Sequence, residues 1–187
     1  LRASHCARIT ASDGVAALPS SEDPDEPDPH IWLAPENCAQ MAQNIADGLA
    51  EVYPIDAARL RENAANYARE MDELQAYGEQ QLSSLSCREL VTFHDGFSYF
   101  AEAFDLTIAA AMEVEAGSEP SAKELEEVVR IVRENAIPAV FSETNGTQDA
   151  AQLVARETGA GVFVLDMGLS NPDAIRGNID TVKEALQ

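Results

Sequence analysis

The sequence predicts an α/β fold: a four-stranded parallel βα lobe preceded by a long backbone helix. Three observations carry this. Four short apolar runs, at 90–93, 106–112, 139–141 and 162–165, each end near a polar or acidic residue, as buried strands do. Helical stretches separate them, so strands and helices alternate along the chain. Upstream, a 3.6-residue apolar period persists from about Asp56 to about Leu85. In sheets of this kind ligands bind beyond the carboxyl ends of the strands, and His94, Glu113, Glu143 and Asp166 all fall at that rim.

Taken in order, residues 1–29 form an irregular leader into the fold. Ile9, Val15 and Leu18 fit the end of a helix or strand with partners upstream. The stretch 20–29, SSEDPDEPDP, places three prolines among five acidic residues and reads as an exposed, mobile loop. Residues 30–55 form a first helical segment. Pro35 suits its first turn, Met41, Ile45, Leu49 and Val52 its apolar face, and Pro54 stops it. Residues 56–86 form the long connecting helix, with Leu60, Ala64, Tyr67, Met71 and Leu74 in period and Gly78 as a soft spot. Residues 87–187 form the α/β lobe. Phe97, Phe100, Ala101 and Phe104 face a short helix, and Ser121 with Glu124 makes a capping box. Asn145 or Thr147 caps the next helix and Gly159 ends it. The last helix follows Pro172 with Ile175, Ile179, Val182 and Leu186 on one face.

Composition narrows the function. With 33 acidic and 12 basic residues the formal net charge is -21, which repels nucleic acid and anionic membranes and attracts cations. Ten of the basic residues are arginine, and only Lys123 and Lys183 are lysine. An acidic, lysine-poor surface of this kind is adapted to salt, which screens its self-repulsion. No apolar run approaches the length that spans a bilayer. Cys6, Cys38 and Cys87 are too few and too scattered for a disulfide framework or a thiolate zinc knuckle, so Cys38 and Cys87 read as small core fillers.

The residues with chemistry to offer are two histidines and a carboxylate. His30 follows a rigid Asp-Pro pair, while His94 and Asp166 each follow a strand. Imidazole and carboxylate donors suit zinc, and serve manganese or iron(II) less selectively. Their separations of 64 and 72 residues leave it to the fold to bring them together. The same residues also allow a metal-dependent hydrolase, with His94 as general base oriented by Asp95, Glu143 or Asp166. Against this, the chain has no GxSxG elbow, HExxH pair or phosphate loop.

Four ordered motifs give a more specific reading: DPHIWLAPEN, TFHDGFSYFAEAFDL, EPSAKELEEVVRIVRENAIPAVFSE and ARETGAGVFVLD. Together they resemble the periplasmic metal-binding proteins that serve zinc and manganese ABC importers, and most of all the zinc-uptake branch. The resemblance implies two α/β lobes joined by a long rigid helix, with the metal held in the cleft between them. It assigns metal-ligand roles to His30, His94 and Asp166, and makes Glu143 a supporting residue that does not itself bind metal. A histidine at position 94, where the manganese branch has glutamate, favours Zn2+ over Mn2+ or Fe2+. It further implies an extracytoplasmic location, an ABC permease as partner, no nucleic acid, no membrane insertion by this chain and no enzymatic activity. Two departures stand out. The acidic loop lacks the family's histidines, and the N-terminal lobe with its further histidine ligand has no counterpart here, since His5 lies outside the expected motif. The expectation is thus a C-terminal lobe with its connecting helix, exposing apolar surface that invites dimerisation. The alternatives are a manganese or iron(II) carrier of the same family, or a truncated fragment that binds no metal tightly.

Overall fold

The computed structural model describes residues 7–20, 25–112, 121–144, 148–168 and 172–187. Its centre is a parallel four-stranded sheet: β1 (Glu89–Thr92), β2 (Thr107–Ala111), β3 (Ala139–Glu143) and β4 (Gly161–Leu165). Each predicted apolar run is a strand. The spatial order is β2-β1-β3-β4, so the chain crosses back over β1 to lay down β3. β1 and β3 therefore flank the point where strand order reverses, the usual position of a ligand crevice in open parallel sheets. They meet through Thr92 and Phe141, while β3 and β4 pair over their full lengths.

Alternation along the strands sorts the core into two layers. Leu90, Phe141 and Leu165 face one side, where they join the helices α2 (Ala57–Leu82), α3 (Ser98–Ala103) and α6 (Pro172–Leu186) through Leu74, Phe100, Ile179 and Val182. Val91 and Val140 face the other side. There they meet Val128 and Val132 of α4 (Ala122–Glu134) and Ala151 and Val154 of α5 (Asp149–Thr158). Phe100 and Phe104 stack edge to face at 5.0 Å beneath the sheet. The capping box at Ser121 and Glu124 forms in both directions, and Gly159 ends α5 at φ 83. Glu113, Asn145 and Thr147 lie outside the described residues.

The helix α1 (Pro35–Val52) follows a 3-10 turn at Ile31–Leu33 and is joined to α2 by a second one at Pro54–Asp56. Helix α2 ends at Leu82 rather than Leu85, and turns then lead into β1. Its Gly78 is a contact point and not a soft spot. A methyl there would lie 2.2 Å from the ring of Phe104, so the missing side chain lets α2 close onto the sheet layer. The apolar face predicted for α1 is also only half covered. Ala46 and Ala50 are buried, whereas Ile45 and Val52 stay more than 40% exposed. Small residues bring α1 close to α2 and leave Ile45 along the rim of an open groove.

The described part of the leader packs against the rest of the fold. Among the described residues, 7–20 form turns and extended chain with partners downstream in α1. Ile9 packs onto Gly48, and Asn44 donates to the carbonyls of Ala11 and Asp13. The acidic stretch is pinned at both arms, by the Pro19–Pro27 bridge and by Asp28 N–H donating to Leu18 O at 2.8 Å. Backbone hydrogen bonds that short-range composition does not reveal join Leu18 and Ser20 to Glu26 and Asp28.

Candidate metal site

Three segments meet at the carboxyl end of the sheet. His30 enters the 3-10 turn before α1, His94 leaves β1, and the turn from Asp166 to Gly168 leaves β4. Trp32 stitches the first to the third, its indole N–H donating to Met167 O at 2.7 Å. Gly96 stands between the second and third. A methyl there would lie 2.7 Å from Met167 Cε and 3.0 Å from His94 Nε2.

The two histidines come together across 64 residues. Their Nε2 atoms are 3.3 Å apart, with the rings nearly perpendicular at 87°. That spacing is longer than a good N–H hydrogen bond of about 2.9–3.0 Å. It equals the separation of about 3.3–3.4 Å that two imidazoles have on one tetrahedral ion with bonds of about 2.0–2.1 Å. The predicted pair thus has the right bite for a shared cation.

Asp28, which the sequence reading left as turn composition, lies behind His30. Its Oδ1 is 2.7 Å from His30 Nδ1 and also accepts the His30 backbone N–H at 2.8 Å. The side chain is buried, at 3% exposed, against 16% for His30. The Tyr99 hydroxyl donates to Asp28 O at 3.1 Å and accepts from Leu18 N–H at 3.0 Å. The only sequence signal for this role was an aspartate two residues before a histidine, in a stretch where acids abound.

Asp166 is placed differently. Its carboxylate Oδ1 accepts the Gly168 N–H at 2.9 Å, and its backbone is clamped on both sides by the buried Asn178 amide at 2.7 and 2.8 Å. The residue is exposed and lines, with Thr144 and Asp173, a pocket of about 310 Å³. Among the described residues, no group of three or more His, Cys, Asp or Glu side chains is gathered closely enough to hold an ion. Glu143 ends β3 half-buried, in register with Leu165.

Behind Trp32 the groove between α1 and α2 opens to about 560 Å³, lined by Cys38, Met41, Ile45, Leu49 and Tyr67. It is apolar and offers no donor set for a cation. Cys38 donates to Trp32 O at 2.9 Å, and burial pushes its thiol up. Burial, together with the neighbouring Cys38, pushes the Tyr67 hydroxyl up to about 12.

Comparison with known proteins agrees with this architecture. A crystal structure of ZnuA superposes with a TM-score of 0.85 at 30% identity, covering 96% of this chain and 70% of the other. The zinc-binding protein AdcA of Streptococcus pyogenes is 32% identical over 138 residues, 74% of this chain. The iron-binding protein YfeA of Yersinia pestis is 32% identical over 160 residues, 82% of this chain. The chain spans 27% of the length of AdcA and 51% of that of YfeA. The match to zinc-uptake complex component A, periplasmic, runs over residues 2–185. The chain therefore belongs to the ZnuA family of periplasmic metal-uptake solute-binding proteins, in its zinc-uptake branch.

Proposed function

We propose that this chain binds a divalent metal ion, zinc in the first place, and passes it to the permease of an ABC importer outside the cytoplasmic membrane. The observation that supports this best is the 3.3 Å separation of His30 Nε2 and His94 Nε2, which suits two ligands of one ion. Asp166 supplies the third donor once its carboxylate turns from the Gly168 N–H toward the imidazoles, and water fills the remaining position. Glu143 supports the site without binding the ion. The family's members are transport components, which sets aside the hydrolase reading of His94. No helix among the described residues is long and apolar enough to cross a membrane.

Zinc titration by calorimetry tests the reading. The wild-type chain is expected to bind one zinc ion per molecule. His94→Ala and His30→Ala each weaken binding by more than about 100-fold, the upper end of what loss of an outer supporting group costs. Affinity unchanged by both substitutions would refute the site. A second reading, manganese or iron(II) as cargo, draws on the mixed imidazole and carboxylate donors and on the iron-binding relative. It requires those ions to outcompete zinc in the same titration.

A further inference from the structure

We propose that Asp28 is a positioning residue for this site: its buried carboxylate holds His30 in the tautomer that leaves Nε2 bare toward His94. A carboxylate only accepts hydrogen bonds, so the 2.7 Å contact places the proton of His30 on Nδ1. The lone pair of Nε2 then points at the second imidazole, 3.3 Å away. Metal-binding histidines characteristically have their other nitrogen fixed in this way.

The carboxylate is held too firmly to swing aside. Its Oδ1 accepts both the His30 ring and the His30 backbone, which fixes the ring relative to its own main chain. The Asp28 backbone is tied to Leu18 on one side and to Tyr99 on the other. Tyr99 lies on α3, the helix that follows His94, so Asp28 is anchored to the segment carrying the second imidazole. Asp28 Oδ2 is buried with no hydrogen-bond partner among the described residues. Such an arrangement is costly for a residue that only shapes a turn, because a turn needs the backbone contact and nothing more. A cation bound by His30 would offset that buried charge.

Asp28→Asn separates the two roles: the amide oxygen keeps the turn, but as a neutral and weaker acceptor than the carboxylate it loosens the hold on the Nδ1 proton. In the metal-free chain with 15N-labelled histidine, long-range 1H–15N correlation should show wild-type His30 protonated on Nδ1 and the variant as a mixture. In chelator competition the variant should bind zinc about 10–100-fold more weakly, with its thermal midpoint unchanged. Wild-type His30 protonated on Nε2, or a variant with unaltered tautomer, would overturn the proposal. So would a loss of affinity that merely tracks a loss of thermal stability. The affinity arm rests on His30 being a metal ligand. The tautomer arm needs no metal, so it stands or falls apart from the zinc reading, which fails instead if His30→Ala and His94→Ala bind zinc like wild type.

Discussion

At the scale of single residues, Gly96 is where the backbone makes room for an imidazole. Any side chain there meets the Met167 methyl at 2.7 Å and the His94 ring at 2.8 Å. The methionine end can bend away, whereas the ring is flanked by His30 and has less freedom. On the reading above, Gly96→Ala pushes His94 off its line to His30 and weakens zinc binding about 10-fold or more, as loss of an orienting contact does. Chelator competition measures this, and undiminished affinity would show that His94 is not held by that contact. That His30 and His94 belong together was legible through the motifs that carry the resemblance, and the fold brings their rings side by side. Asp28 was not, because one acid among five in SSEDPDEPDP carries no mark of which one the fold buries. Nor was Asn178, whose clamp on Asp166 joins an α6 residue to a turn that ordinary helix composition does not reveal.

At the scale of elements, α2 is the spine. Its 26 residues span about 39 Å and it lies between α1 on one side and α6 on the other. Tyr77 donates to Asp180 and receives Arg176 over its ring at 4.2 Å, so the join to α6 has a polar edge around an apolar seam. Gly78 sits inside that seam. Gly78→Ala gains about 1 kcal/mol of helix propensity but forces a methyl into Phe104 and Ile179, and overpacking of this kind costs about 1–3 kcal/mol. Urea denaturation should show a lower midpoint for the variant, and a stabilised variant would mean that the seam yields. The strands were readable from sequence because each is a short apolar run with a polar end. The α1 face was readable only as a stripe. The helical period shows that Ile45 and Val52 share a side, but not that Ala46 and Ala50 take the covered position.

For the whole molecule, the net charge of -21 sets the conditions under which the fold is stable. Arginines relieve it locally: Arg130 bridges Glu127 and Glu134 along α4, and Arg61 bonds Asp47 between α2 and α1 at 2.8 Å. Exposed pairs of this kind each contribute little. The remaining excess is repulsive and long-ranged, and salt shortens its reach from about 10 Å at 0.1 M to about 3 Å at 1 M. Calorimetric scans should show the thermal midpoint rising by several degrees over that interval. A falling midpoint would mean that the bridges outweigh the repulsion. This expectation was available from composition alone, because net charge does not depend on how the chain folds.

Trp32 is the only tryptophan in the chain. Its indole donates to the turn beside Asp166 and its ring lies 5.5 Å from that of His30. The molecule thus carries a single indole, set between two of the segments that meet at the candidate metal site. Its emission, excited at wavelengths where tyrosine does not absorb, is a label-free gauge of that junction: any event that parts the turn from the histidine, or draws them together, changes the surroundings of the one indole.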